Sequence, residues 1–466
     1  MPGDHPFRMV RDRTAVVLSI PAILFPILVT FAIAIRTSIN ILHLDDYHAA
    51  LQFINIYASS NSVLHHVGEI VRWQHNQYKL MFENAIFALD YDLTGHLNYA
   101  FLGWLGNLLL LPIAFLLWTI FKPRDVPRAQ RLLLFVPVAL LFFAPQYEEN
   151  INWAMDGLMH HPAILFSILT IVLLERNRTS TFAVACVSLV LGIAASGNGF
   201  FLAMVGLAFL LQLRRLRWAI VWCAVTLAMA GIYAVQFHPG FLPDRPPIAH
   251  PTLALLLYPF AFLGASGMYT PRSTIAGLIL VPLFFVLLWR RGGFRAVPIP
   301  GYIGVFILIT AAGVSATRHT LGLGTAMAPR YRMYSIVFFI LIYTLLVDLA
   351  VRSSIPVRKL APAFALFTIV CLAFNLRMDR FAAGTLWARK ILLVRHLQRW
   401  TADPNRNSVS IDDYPGLQSP DMLVVENQAN LEMRYAIDHA LYIPPPISQD
   451  IYNRDFWFRH RPALKQ

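Results

Sequence analysis

Apolar residues along this chain come in long unbroken runs, not in the strict alternation of a strand. Runs of about 17 to 25 residues recur through most of the sequence, and as helix such a run crosses the ~30 Å hydrocarbon core of a bilayer. Lipid offers the backbone no hydrogen bonds, so only helices and closed barrels can span it, and uninterrupted runs select helices. The pattern predicts spans at 14–36, 98–121, 131–145, 161–174, 181–196, 199–213, 218–236, 274–289, 299–314, 333–350 and 358–375. It therefore describes an all-α, polytopic transmembrane helix bundle of about eleven spans. The first run has no small-residue cleavage site after it and is expected to be a retained helix.

Composition sharpens this picture. Of 466 residues, 57% are hydrophobic and only 14% charged, well below the roughly 25% charged residues of an average soluble domain. An ordinary soluble enzyme is excluded. The net charge of +13 does not point to nucleic acid, because the basic residues sit in short clusters just outside the apolar runs. Cys186, Cys223 and Cys371 all fall inside apolar runs, so neither a disulfide framework nor a Cys-x-x-Cys metal site is available.

Lys and Arg close to span ends are retained on the cytoplasmic side. One side of the predicted spans collects eighteen of them, in the clusters Arg8, Arg11 and Arg13; Lys122, Arg124, Arg128 and Arg131; Arg176 and Arg178; Arg214, Arg215 and Arg217; Arg290, Arg291 and Arg295; and Arg352, Arg358 and Lys359. The other side has seven. This places the N-terminus in the cytoplasm. The segment 253–270 is apolar but broken by Pro259, Gly264 and Gly267, and counting it as a span would move Arg290, Arg291 and Arg295 outside. It reads as a re-entrant or interfacial helix on the outer side. Residues 1–375 then form the transmembrane module, with a long first outer loop at 37–97 and an extracytoplasmic tail at 376–466. The tail opens with a basic amphipathic stretch, 386–400, read as a helix lying on the membrane or on the other helices. Beyond it the Pro- and Asn-punctuated chain reads as an irregular cap.

The candidate chemistry lies at the outer ends of these spans. Asp45 and Asp46, in LHLDDYHAALQFI just beyond the first span, bear a cost in desolvation and mutual repulsion that raises one pKa or calls for a cation or an acceptor hydroxyl. The plainer alternative is a solvated loop pair. The same loop then gathers Glu69, Arg72, Trp73, His75, Asn76, Tyr78 and Lys79, a mixture suited to a sugar and a phosphate, since cations take phosphate oxygens and aromatics stack on sugar faces. Read as one helix, Arg72, His75 and Lys79 share a face. The second outer loop holds Glu148, Glu149, Asn150, Trp153 and Asp156 without a Lys or Arg, which suits a polar cavity mouth or a divalent-cation site of no specific motif. Asn198, in the SGNGF turn, can face the same cavity. Arg318, Arg330, Tyr331 and Arg332 lie on the outer side against the charge rule, and a lipid-linked phosphate would account for them; headgroup snorkelling is the alternative.

Taken together, a carboxylate pair directly beyond a first outward span, a long first outer loop, about eleven spans and distal outer arginines resemble the GT-C superfamily of integral-membrane glycosyltransferases. HNQYKLMFENAIFALDY at 75–91 and APRYRMY at 328–334 also look like segments of uncharacterised bacterial membrane proteins with this organisation. The pair here is DD where protein-mannosylating members have DE, and a WWD-type motif is absent, which argues against an oligosaccharyltransferase. The resemblance implies a small bacterial-type enzyme of the inner membrane with its site on the periplasmic side. It would take a sugar from a polyprenyl-phosphate donor to a glycan or lipid acceptor among membrane lipids, with no organic cofactor and no nucleic acid. Asp45 or Asp46 would be the catalytic base; Lys79, Arg318, Arg330, Tyr331 and Arg332 the donor-phosphate ligands; and Glu69, Arg72, Trp73, His75, Asn76, Glu148, Glu149, Trp153 and Asn198 the sugar and acceptor contacts. Two other classes fit the composition. A lipid-linked saccharide flippase should show polar residues near mid-membrane, and a membrane acyltransferase would need a histidine from among His65, His66, His160 and His161.

Overall fold

Each apolar run forms a helix because its backbone groups have no other partners, and several of these helices carry prolines in their interior, Pro21, Pro26, Pro137 and Pro162 among them. The computed structural model describes residues 12–123, 126–238, 250–266, 271–353, 357–402 and 420–446. Arg8, Arg11, Arg124 and Arg245, the end of segment 253–270 and the chain after 446 lie outside these residues. In chain order the helices are α1 (Asp12–Thr37), α2 (Phe53–Tyr57), α3 (Val63–Arg72), α4 (Met81–Thr94), α5 (Tyr99–Leu108), α6 (Leu110–Ile120), α7 (Arg128–Phe142), α8 (Glu148–Asn152), α9 (Ala154–Glu175), α10 (Thr179–Ala195), α11 (Gly199–Gln212), α12 (Leu216–Ala234), α13 (Pro251–Leu263), α14 (Arg272–Arg290), α15 (Pro298–Arg318), α16 (Arg332–Arg352), α17 (Val357–Ala402) and α18 (Pro420–Asp438). A π turn, Tyr47–Gln52, precedes α2, and a two-stranded hairpin pairs β1 (Gln74–His75) with β2 (Tyr78–Lys79).

The chain is all-α apart from that hairpin, and among the described residues eight helical segments are long and apolar enough to cross a membrane. The other three expected spans fall on α7, α10 and α11, of 15, 17 and 14 residues. At 1.5 Å per residue these reach only about 21 to 26 Å, so length alone does not make them spans. α13, at 13 residues, is shorter still.

Burial ranks the helices. In α9, 83% of the most apolar window is buried and in α16 67%, against 17% for α1 and for the α12 helix. α9 and α16 are thus the central posts, and the outer helices turn Leu, Ile and Phe outward as a membrane requires. Between α1, α6 and α7 lies an apolar cavity of about 450 Å³, lined by Ile20, Leu111, Trp118, Leu132 and Phe135 among others.

A second, smaller core sits around the first loop, beyond the end of α1. Leu42, Tyr47, Phe53 and Tyr57 of the first loop pack with Leu393, Val394, Leu397 and Trp400 of α17 and with Met433 and Tyr442. Hydrogen bonds stitch it: Asn55 Nδ2 donates to Glu432 Oε2 (2.6 Å), Trp400 Nε1 to Asn430 Oδ1 (2.6 Å), and the Tyr442 hydroxyl to the Asn40 carbonyl (2.7 Å). The amphipathic stretch 386–400 is helical, as its pattern predicts, and its apolar face is buried against protein. Two expectations change here. No break separates the last span from that stretch near Leu376, because α17 runs unbroken through both. The cap beyond it is also partly regular, since 420–438 is helix α18.

α13 and α14 cross at glycines. A Cβ on Gly277 would strike the Phe260 carbonyl, and one on Gly264 the Ser273 carbonyl, so the two backbones meet where only glycine fits. Gly277→Ala is expected to lower the thermal midpoint in detergent, the overpacking costing about 1–3 kcal/mol. Gly231→Ala in α12, where a Cβ meets nothing within 4 Å, should leave the midpoint unchanged or raise it. Equal midpoints for the two variants would refute this packing.

Candidate functional site

The site begins where the chain leaves α1. Leu44 takes a φ of 46°, a left-handed conformation that costs about 1–3 kcal/mol and gathers at functional sites. This one residue turns the chain so that successive carboxylates face different surroundings. Asp46 is buried, and its Oδ2 accepts the His43 amide at 3.1 Å. Burial pushes its pKa up to about 8 against the weaker effect of the hydrogen bonds, so at neutral pH it is mainly protonated. Asp45 keeps 46% of its side-chain surface open. Burial acts to raise its pKa, but the His75 hydrogen bond and charge, together with Arg330, outweigh burial and hold it below the ordinary carboxylate value.

Two histidines stand behind Asp45. His75 Nε2 is 3.5 Å from Asp45 Oδ2, and His75 Nδ1 is 2.8 Å from His48 Nδ1. The hairpin presents His75, with Asn76 at φ 49° in its two-residue turn. The π turn presents His48; its first turn forms as the Asp45 carbonyl accepts the amides of His48 (3.1 Å) and Ala49 (2.7 Å). Burial pulls His48 down to about 4 and His43 to about 3, so both rings are neutral at pH 7. The His48 ring lies 5.3 Å from Trp73, and the His43 ring stands edge-on to Trp153 at 5.1 Å.

Arg330 forms the opposite wall. Its Nη1 is 3.7 Å from Glu149 Oε2 and 3.8 Å from Asp156 Oδ2, and its guanidinium lies 5.9 Å from the Trp153 ring and 5.7 Å from the Tyr331 ring. Trp153, Asp156 and His160 recur at helical spacing at the start of α9 and so share a face. Tyr331 is buried behind Arg330, with the His160 ring edge-on to it at 5.7 Å. Arg318 donates to the Tyr78 hydroxyl and sits 5.6 Å from that ring. The Trp153 indole nitrogen and both His160 nitrogens are buried without a hydrogen-bond partner in the protein. A hydroxyl-rich ligand can use that spare capacity.

The structure therefore brings Asp45, His75, Asn76, Glu149, Trp153, Arg330 and Tyr331 together and sets other expected residues apart. Lys79 is buried, and its ammonium donates to the Val235 carbonyl at the C-terminal end of α12, where a cation is favoured; it is not placed for a donor phosphate. Arg332 is also buried, donating to the carbonyls of Met327 (3.1 Å) and Gln146 (3.3 Å). Glu69 and Arg72 pair with each other on α3. Trp73 packs against Phe53 and His48. Asn198 donates to the Tyr334 hydroxyl at 3.0 Å. Glu148 is buried, and burial raises its pKa to about 7.

The shared helical face of Arg72, His75 and Lys79 does not form, because α3 ends at Arg72 and the hairpin follows. His65, His66 and His161 each bind a main-chain carbonyl, of Ile56, Ser60 and Gly106. Among the described residues, no three of His, Cys, Asp and Glu come together as a metal site. Site members that the sequence reading did not assign are His43, His48 and Arg389, whose Nη1 donates to Asn152 Oδ1 at 2.7 Å; Asp156, named there only for the mouth of a polar cavity or a cation site, joins Arg330. His48 lies one helical turn from Asp45, and Asp156 one turn from Trp153, which is the signal that was there to find. No family model matches this chain, and neither does any curated protein or solved structure.

Proposed function

We propose that the protein is an inverting GT-C-type glycosyltransferase, moving a sugar from a polyprenyl-phosphate donor to a glycan or lipid acceptor outside the cytoplasm. In this reading the chain makes eleven spans with a cytoplasmic N-terminus in a bacterial inner membrane, and the cleft opens on the periplasmic side. The observation that carries it is one partly exposed carboxylate, Asp45, just beyond the first apolar helix, held in its ionised form with the help of the Arg330 charge.

The chemistry asks little more of the protein. Asp45 accepts the proton of an acceptor hydroxyl as that oxygen bonds to the anomeric carbon. The anomeric carbon–oxygen bond to phosphate breaks, and the polyprenyl phosphate leaves with the electron pair. A single displacement of this kind inverts the centre. Phosphate is a weak base, so it needs positive charge more than a proton donor, and Arg330, with Arg318 behind it, supplies that charge in a partly dry cleft. Trp153, Glu149 and Asp156 offer a ring face and acceptors for sugar hydroxyls.

Mass spectrometry of envelope glycans and lipids, from cells with and without the protein, tests this. The expected result is loss of a hexose- or pentose-sized increment, restored by the wild-type gene. An unchanged sugar inventory would refute the reading, and a lost acyl increment would favour acyl transfer instead.

A further inference from the structure

We infer that His48 and His75 are positioning residues for Asp45: His48 fixes the tautomer of His75 so that the His75 Nε2 proton faces the Asp45 carboxylate. The inference rests on the reading of Asp45 as the base. It begins with a count of protons. Two imidazole nitrogens 2.8 Å apart can share only one hydrogen, so one Nδ1 donates and the other accepts. When His48 donates, the Nδ1 of His75 is an acceptor, and the ring proton of His75 then sits on Nε2. That nitrogen is the one 3.5 Å from Asp45 Oδ2. The opposite assignment would set the Nε2 lone pair against a carboxylate, which is repulsive.

Asn76 tests the assignment locally. Its Nδ2 is placed 2.9 Å from the same Nε2, which would make Nε2 the acceptor; the inferred tautomer requires the amide turned over, its O and N being interchangeable by shape, so that Oδ1 accepts from Nε2. The Nε2 proton is then shared between Asn76 and Asp45, and the ring is held at both ends.

The surroundings keep the chain of groups in this state. His75 is 5% exposed, and the His48 ring is braced on Trp73. Asp45 also feels Arg330 and His43, and its own charge reaches Asp156 and Asp46. Of these, Arg330 favours the ionised form of Asp45. The arrangement follows the logic of a base oriented by a second group that is itself oriented by a third, here with a carboxylate as the base and two imidazoles behind it.

The sign of the pH effect follows. A carboxylate held below its ordinary value stays basic to low pH, so the acidic limb of kcat/KM in the wild type should lie below the ordinary carboxylate range. Without the His75 proton, burial is less opposed and the limb moves up.

His48→Phe keeps a ring against Trp73 but removes the donor; His75→Gln removes the imidazole. Both are assayed as full-length protein in membranes, beside Asp45→Asn, with a panel of radiolabelled polyprenyl-phosphate hexoses and pentoses. The expected result is a kcat lower by about 10- to 100-fold in each histidine variant, the worth of one charge-assisted hydrogen bond. Donor KM should stay within about threefold and the acidic limb should rise by about one pH unit or more. An unmoved limb, whatever happens to kcat, overturns the positioning role. If both histidine variants match wild type while Asp45→Asn is inactive, this inference fails and the Asp45 reading stands. If Asp45→Asn is active, or wild type uses no donor in the panel, the functional reading itself fails and takes this one with it.

Discussion

Asp45→Asn is expected to reduce sugar transfer by about 10²- to 10⁴-fold, the usual worth of a general base, while Asp46→Asn stays within about tenfold of wild type. The two residues are chemically identical neighbours, so the asymmetry is a demanding test. It follows from their environments: Asp45 is open to the cleft and ionised, whereas Asp46 is buried and mainly protonated at neutral pH. An asparagine at 46 removes a charge that is largely absent already, and its oxygen can still accept the His43 amide. At 45 the same change deletes the only carboxylate of the pair that an acceptor hydroxyl can reach. Initial rates at matched expression measure this. Equal losses in the two variants, or a larger loss at 46, would show that the base has been misassigned.

Arg330→Gln should cost about 10²- to 10³-fold in kcat/KM, the scale found when a preorganised group facing developing charge is removed, with much of the loss seen as a raised donor KM. Two things are lost together: the cation for the leaving phosphate, and the counter-charge for Glu149 and Asp156, both within 4 Å of its Nη1. Arg330→Lys should recover part of the activity, since a lysine restores a point charge without the planar fork. Arg318→Gln should cost less, because Arg318 is engaged with Tyr78 and stands one layer back. A donor dependence unchanged in Arg330→Gln would remove Arg330 from the phosphate site.

The helices were legible because lipid enforces them, and each expected span coincides with a helix. Leu376 shows the limit: periodicity marks the apolar span and the amphipathic stretch as different surfaces, but says nothing of whether the helix between them breaks. The hairpin at Gln74–Lys79 escaped because a two-residue turn at Asn76 carries no strong signal. In the site, Arg330 could be found from sequence because an arginine on the outer side breaks a charge rule. Lys79 and Arg332 break the same expectation, yet both are buried against main-chain carbonyls, Lys79 at Val235 and Arg332 at Met327 and Gln146, and that burial is set by the tertiary fold. The choice between Asp45 and Asp46 rests on the backbone of Leu44, an ordinary residue whose left-handed turn no local pattern announces.

The unbroken length of α17 has a mechanical consequence. Its 46 residues make a rod of about 69 Å at 1.5 Å per residue, more than twice the hydrocarbon thickness of a bilayer. Its far portion helps to brace the outer core around the first loop, through Leu393, Val394, Leu397 and Trp400, and its Arg389 reaches Asn152 in the second loop. Pro362, in its first turns, is the one proline in this helix, and beyond it the rod runs on without a proline to absorb a change in angle. A tilt of about 5° pivoted at Val357 would sweep Ala402 by roughly 6 Å. A change in the angle of the apolar portion of α17 is thereby carried to its Leu393–Trp400 portion and to the core that holds the first loop.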